Sequence, residues 1–257
     1  MQSRYASGPL FAGMDLPGLL EQAESKYQVR FETVKVGDAS LDVLQIANME
    51  EYLDQMAAGL DAETPLELPF WARIWPTSIL LSFFVQRIRA ADAAHLLEIG
   101  GGIGLCGLFA AKQGIRTTLS DINEDALLFS QINILQNDLQ NLADVHRIDF
   151  TQDRLSQRYD MILGSEVLYQ EASYRPLSKF LRYHLRPHKD SEIILAKSYR
   201  LKAKPFFKAA EKEFSIQERV IGYKEQQDQV SPENEKHLSH IYRLRPRKFE
   251  NGEHRCS

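Results

Sequence analysis

Cysteine is scarce in this 257-residue sequence, which has only Cys106 and Cys256. A disulfide framework is excluded, and Cys106, on an apolar helical run, reads as a packing residue. Long apolar stretches are also missing. None approaches the ~18 residues of a membrane span, and the opening MQSRYASGPLFAGMDLPGLL has no apolar core behind a basic start, so no membrane contact and a cytoplasmic location are expected. A basic excess is lacking as well: 31 Lys and Arg face 35 Asp and Glu, net charge −4. No global field draws nucleic acid, which is disfavoured as a partner. There is no repeat, no low-complexity tract, no P-loop and no G-x-S-x-G elbow. The seven histidines, His237 and His240 among them, show no ligand spacing, so no metal is expected.

What is present is organised around HLLEIGGGIG, His95 to Gly104. It reads as a buried strand that ends in glycines and runs into the helix GLCGLFAAKQG. Glycines at 100, 102 and 104 open φ values closed to other residues and remove side chains that would hold a ligand off the main chain. Glu98 precedes the first glycine by two residues, and Asp121 ends the next apolar run, TTLSD. Both carboxylates are therefore expected in the crevice where open α/β sheets bind ligands.

The apolar fraction of 44% is ample for a core, and the length suits one α/β domain with a modest addition. Residues 1 to about 26 show no sustained period and read as an arm or an irregular helix. VRFETVKV, Gly37-Asp38 and SLDVLQI carry a hairpin signature. NMEEYLDQMAAGLDAETPLEL reads as a short helix and a polar connection that leads across the cleft. PFWARIWP introduces an apolar helix from about Thr77, with Trp71 and Trp75 either anchoring it to the sheet or closing over a ligand. Beyond the glycines, strands TTLSD, ADVHRIDF (ending in Asp149 and Phe150), YDMILGSEVLY and SEIILAKS alternate with helices. FSIQERVIGYK and HLSHIYRLR, joined by the polar QQDQVSPENEK, have no room for a crossover helix and must pair antiparallel.

The expected fold class is α/β: a Rossmann-like, doubly wound, mostly parallel seven-stranded sheet with an antiparallel C-terminal strand, preceded by an N-terminal β-hairpin. Expected boundaries are 1–68 for arm, hairpin and connection, 69–246 for the main domain and 247–257 for a polar tail. The basic run KSYRLKAKPFFK reads first as a solvated helix face and second as a dock for an acidic partner.

Two cofactor classes fit the glycine turn. From Gly102, GIGLCG satisfies the dinucleotide pattern G-x-G-x-x-G, with Asp121 near the spacing of a ribose-binding acid. From Glu98, EIGGGIG resembles the first motif of class I S-adenosyl-L-methionine (AdoMet) methyltransferases. The second reading is preferred, because an acid inside the turn suits an ammonium group, whereas a pyrophosphate wants bare N–H groups and no carboxylate.

At Glu166-Val167-Leu168-Tyr169 the chain resembles the acid-x-x-Tyr/Phe motif of the seven-β-strand protein-lysine methyltransferases of non-histone substrates. The hairpin, glycine turn and Asp149-Phe150 also look like that family, and PFWARIWP resembles the branch acting on the β-subunit of electron-transfer flavoprotein. The resemblance covers roughly residues 29 to 245. It implies AdoMet as cofactor, a protein as substrate, and an AdoMet site lined by Trp75, the backbone of Gly100, Gly101 and Gly102, Asp121, Phe150 and Ser165, with Gly104 completing the glycine motif. Phe150 departs from the tryptophan often found there. It further implies that Glu166 and Tyr169 shape the lysine channel. Within that frame Asp121 can accept from the ribose hydroxyls, Glu98 can fix the amino-acid end through the loop, and Asp149 can accept from the adenine amino group. The Asn/Asp-Pro-Pro-Tyr loop of many base and amide methyltransferases is absent at this position, which favours an amine acceptor. Two other readings share these residues: a small-molecule methyltransferase and a non-catalytic AdoMet-binding module.

Overall fold

The first regular element is fixed by its cap. In a computed structural model, which describes residues 10, 11, 13–58, 68–88, 95–224 and 236–247, Asp15 Oδ1 accepts from Gly18 N at 3.1 Å and Pro17 sits in the first turn. Both features start helix α1, Leu16–Glu24. The stretch expected to be irregular is thus a regular helix from Leu16, and it buries Leu19 and Ala23. Of the other expected segments, residues 1–9, most of the connection (59–67), nearly all of the polar insertion (226–235), and the tail from 248 with Cys256 lie outside the described residues.

Strands β1, Val29–Val36, and β2, Ala39–Ile46, form the expected hairpin around Gly37-Asp38. Helix α2, Met49–Ala58, follows. Leu41 and Val43 on one face of β2 and Leu44 on the other are buried. Beyond the 3-10 turn Phe70–Ala72, α3 spans Pro76–Val85. The main sheet holds β3 (Leu96–Glu98), β4 (Thr117–Asp121), β5 (Ala143–Arg147), β6 (Met161–Ser165), β7 (Glu192–Ser198), β8 (Phe214–Lys224) and β9 (Lys236–Pro246). Its order is β5-β4-β3-β6-β7-β9-β8, and β9 runs opposite to the other six strands. Helices α4 (Leu105–Lys112), α5 (Glu124–Gln136), α6 (Tyr174–His184) and α7 (Lys204–Ala210) complete the fold.

The pleat explains the two layers. Leu96, Met161, Leu163 and Ile194 face one side, with Leu81 of α3 and Cys106 of α4. Leu97, Ile162, Ile193 and Leu195 face the other, with Leu177 and Phe180 of α6 and Phe206 of α7. Two strands end earlier than their apolar runs. β5 stops at Arg147 because the Asp149 carboxylate accepts from Thr151 N and turns the chain. β6 stops at Ser165 because Glu166 adopts a positive φ of 56°. Among the described residues no helix is long and apolar enough to cross a membrane.

The hairpin joins the main sheet through α5. Asn133, fully buried, accepts from Leu44 N at 2.7 Å and donates to Ile103 O at 3.2 Å. Asn137 exchanges two hydrogen bonds with the backbone of Asp42. Asparagine side chains therefore cover the free edge of β2. Asn133→Ala strands a buried N–H and a buried carbonyl, and is expected to cost about 2–4 kcal/mol. Urea denaturation measures it, and a loss below about 0.5 kcal/mol, the scale of an ordinary surface change, would contradict this attachment.

Candidate active site

From β3 the chain moves outward to β4 and β5, then returns to β6 on the other side. That reversal opens a crevice at the carboxyl ends of β3 and β6, the place where such sheets take ligands. A cavity of about 1130 Å³ occupies it. Trp75, Glu98, Gly100, Gly101, Gly102, Asp121, Asp149, Phe150, Ser165, Glu166 and Tyr169 all line this one cavity.

Gly104 is the expected site residue that does not line it. It precedes α4 with φ 80°, and a Cβ there would lie 2.7 Å from Leu119 Cδ1, so the glycine serves packing beneath the turn.

The glycine turn is fastened on every side. Gly101 N donates to Ser120 O at 2.9 Å, Gly102 N to Asp121 Oδ2 at 2.9 Å, and Gly102 O accepts from Ser130 Oγ. At Gly102, φ is 57° and a Cβ would stand 2.5 Å from the Trp71 carbonyl oxygen. Only glycine fits.

Asp121 also accepts from Asn123 N through Oδ1. Burial pushes its carboxyl upward, against the pull of these N–H groups. Glu98 is 2% exposed, and its Oε2 accepts from Gly107 N at 2.8 Å. It thereby pins the first turn of α4 while lining the cavity, and burial pushes its carboxyl up to about 7.

Both tryptophans line the cavity, and they differ in what holds them. Trp71 packs edge-on against Phe129, at 5.1 Å between centroids, and against Tyr27. Trp75 donates Nε1–H to Phe70 O at 3.0 Å, and the Arg73 guanidinium lies 5.0 Å over its ring. Across the cavity the Asp149 carboxylate accepts from Thr151 N, Thr151 Oγ1 and Gln152 Nε2, so most of its capacity organises its own turn. Phe150 packs its ring against the neighbouring core.

Glu166 follows β6, the strand paired with β3. Its left-handed backbone is uncommon for a residue with a side chain, and such strain concentrates at working sites. Glu166 N donates to Ala196 O at 2.8 Å, and Oε1 accepts from Ser198 N at 2.7 Å. Burial raises its carboxyl, while the Thr77 hydroxyl, the Ser198 N–H and the Lys197 charge pull the other way. Tyr169 is 66% exposed at the mouth.

Sequence reasoning missed the wall made by Ser198, Tyr199, Arg200, Leu238 and Ser239. The first three directly follow or end β7, so the rule that sites gather at carboxyl ends of parallel strands was available to find them. Leu238 and Ser239 could be placed only once β9 was known to run antiparallel beside β7, which brings its start to the same edge.

The arrangement suits a nucleoside-bearing cation. The Ser165 hydroxyl is buried without a partner beside the glycine turn, Asp121 offers acceptors at the end of β4, Trp75 and Phe150 present rings, and Glu98 is a buried carboxyl with no ion pair among the described residues. Thr77, on the same wall, is buried as well, and its hydroxyl favours the charged form of Glu166.

A family profile described as lysine methyltransferase matches residues 66–213, more than half of the chain. A protein N-lysine methyltransferase, METTL21A of Danio rerio, is 28% identical over 61% of this chain and 73% of its own length. The histidine protein methyltransferase 1 homolog of Dictyostelium discoideum is also 28% identical, over 44% of this chain and 38% of that protein. The chain thus spans well under half of that second relative. Among solved structures, the N-methyltransferase NodS from Bradyrhizobium japonicum WM9, in complex with S-adenosyl-L-homocysteine, superposes with a TM-score of 0.51 at 16% identity, covering 78% of this chain and 99% of that one. At that identity the likeness concerns the fold alone.

Glu98 generates a pH prediction. Its folded value of about 7 exceeds the unfolded 4.5, so its contribution to stability is complete below pH 4.5 and is lost as pH rises through 7. The loss is at most about 3 kcal/mol. Glu98→Gln keeps an acceptor for Gly107 N and removes the titration. Asp121 and Glu166 titrate in both proteins, so the difference isolates residue 98. Denaturation at pH 5 and pH 8 is expected to show wild type losing ground to the variant as pH rises, and parallel profiles would contradict the burial argument.

Proposed function

Because the chain belongs to the lysine methyltransferase family, we propose that it transfers a methyl group from AdoMet to a lysine side chain of a protein substrate. The observation that carries this reading is that the glycine turn after β3 and Glu166 after the neighbouring β6 open into one cavity. When bound, AdoMet supplies a methyl group on a cationic sulfur that a neutral amine displaces directly. Such a displacement asks the protein for alignment and an unprotonated acceptor, not for a covalent intermediate.

The chain's residues divide that work. The backbone of Gly100, Gly101 and Gly102 seats the nucleoside, with Glu98 and Gly104 acting through the turn's shape. Asp121 accepts from the ribose hydroxyls, and the spare acceptor capacity of Asp149 faces the adenine amino group. Trp75 and Phe150 flank the ligand, and the unpartnered Ser165 hydroxyl supplies a donor.

Glu166 Oε2 accepts from the lysine amine and orients its lone pair, while the bond from Ser198 N keeps the carboxylate from swinging away. Tyr169 presents its ring at the mouth, where the methylated product carries positive charge. Lysine has an unperturbed pKa of about 10.4, and entry into a partly dry channel lowers it. The catalytic unit occupies 69–246, with the hairpin bracing it, and the chain works in the cytoplasm.

Three measurements test the reading. Calorimetry is expected to show AdoMet binding to wild type and a loss of about 1–3 kcal/mol in Asp121→Asn. Saturable NAD binding without AdoMet heat would return the turn to the dinucleotide class. Glu166→Gln retains the Ser198 bond and Tyr169→Ala touches an exposed side chain, so both are expected to keep AdoMet affinity within a few-fold while methyl transfer falls at least ~10²-fold. Equal loss of binding and turnover would place both residues in the cofactor site. Label from AdoMet is expected on lysine after hydrolysis of the protein product, with a rate that rises with pH. Label confined to histidine, arginine, RNA or free metabolites would discard the lysine acceptor.

A further inference from the structure

The cavity separates its charges by depth. Six charged side chains line it: Glu98 and Asp121 are buried, Asp149 and Glu166 are partly buried, and only Arg73 and Arg200 are exposed. Neither arginine has a carboxylate partner among the described residues, although the chain as a whole is acidic, at −4. Two exposed acids next in sequence to the lining, Glu124 and Glu171, do not themselves line the cavity.

The Arg73 guanidinium is held by a ring, and the backbone that carries Arg200 is fastened. Arg73 lies over the Trp75 ring, and Arg200 sits on a turn that the buried Lys197 ties down by donating Nζ–H to Leu201 O at 2.7 Å. Tyr199, beside Arg200, stacks on His240 at 5.0 Å between centroids and donates N–H to Leu238 O. The exposed lining is otherwise largely apolar: Phe70 at 58%, Tyr199 at 57%, Tyr169 at 66% and Leu238 at 40%. Lys202, Lys204 and Lys208, also exposed and without ion pairs among the described residues, continue the positive face away from Arg200.

We infer that this rim is the substrate-docking surface and that its occupant is a polypeptide segment with acidic residues flanking the acceptor lysine. The inference deepens the proposed lysine activity and rests on it. An acceptor reaching Glu166 leaves its sequence neighbours on the rim, where aspartate or glutamate meets Arg73 and Arg200 while apolar side chains cover the aromatic edge. Two rim cations beside partly buried carboxylates are too few to follow a phosphate backbone, which disfavours nucleic acid here.

The test uses the full chain saturated with S-adenosylhomocysteine and fluorescent lysine peptides that differ only in flanking residues: acidic, neutral or basic. Anisotropy reads docking, and label transfer from AdoMet to the same peptides reads the activity. The acidic-flanked peptide is expected to bind about tenfold more tightly than the neutral one, the scale of two exposed ion pairs, with the preference shrinking as salt rises. In Arg73→Glu combined with Arg200→Glu the order is expected to reverse in favour of the basic peptide, and an unchanged melting curve confirms folding. Equal binding of all three, no binding of any, or an oligonucleotide that displaces the acidic peptide overturns the docking inference. Binding with the expected order but no label on lysine supports the surface and refutes the lysine reading. Label transfer without charge preference does the opposite.

Discussion

The contact between the Trp71 carbonyl and Gly102 is the constraint on which the rest of the site depends. With 2.5 Å between that oxygen and the place a Cβ would take, the segment ahead of α3 is laid directly on the glycine turn. Gly102 also binds the Asp121 carboxylate through its N–H and Ser130 through its carbonyl. One residue thus joins three parts of the chain distant in sequence: the tryptophan segment, the end of β4 and the buried face of α5. Asn133, one helical turn beyond Ser130, carries the connection to the hairpin. The hairpin therefore braces the helix that holds the turn, though it contributes nothing to the cavity wall.

Electrostatics follows from depth. Glu98, Asp121 and Glu166 are each anchored by backbone N–H groups, and each is pushed upward by burial, so the floor of the cavity is a set of carboxyls short of cationic partners. That floor is costly in an isolated protein and favourable to a ligand that brings positive charge. A sulfonium nucleoside with an ammonium group and an incoming lysine both do so. Strain at Glu166 belongs to the same design, since the left-handed backbone goes with a carboxylate aimed at Ser198 N, at the end of β7.

Much of this was legible in sequence. Alternation and turn chemistry locate the hairpin, the parallel strands and the antiparallel finish, because a period of two and a glycine-containing turn are local properties. The glycine turn with Glu98 and Asp121 was legible because a ligand-bearing turn needs particular residues at fixed spacing. The acid-x-x-Tyr motif was visible by resemblance alone, since nothing local reveals that Glu166 turns left-handed or that Ser198 holds its carboxylate. Gly104 misleads because packing and ligand approach ask for the same residue. The wall from β9 was hidden for a different reason: Leu238 and Ser239 join the site only through strand pairing across the sheet, which periodicity does not encode. The start of α1 was legible in Asp15 and Pro17, but its short apolar face was lost in a stretch with no sustained period.

The central claim is that one continuous cavity holds AdoMet at the glycine turn and brings a lysine amine to Glu166. The most direct test is the affinity of a bisubstrate compound that links the nucleoside of AdoMet, through nitrogen in place of sulfur, to a lysine side chain. Measured by calorimetry against S-adenosylhomocysteine, it is expected to bind at least ~10²-fold more tightly, because its second half adds contacts without a second association cost. That advantage is expected to collapse in Glu166→Gln while S-adenosylhomocysteine binding holds. A bisubstrate compound no tighter than S-adenosylhomocysteine, or one whose advantage is indifferent to residue 166, would contradict the account.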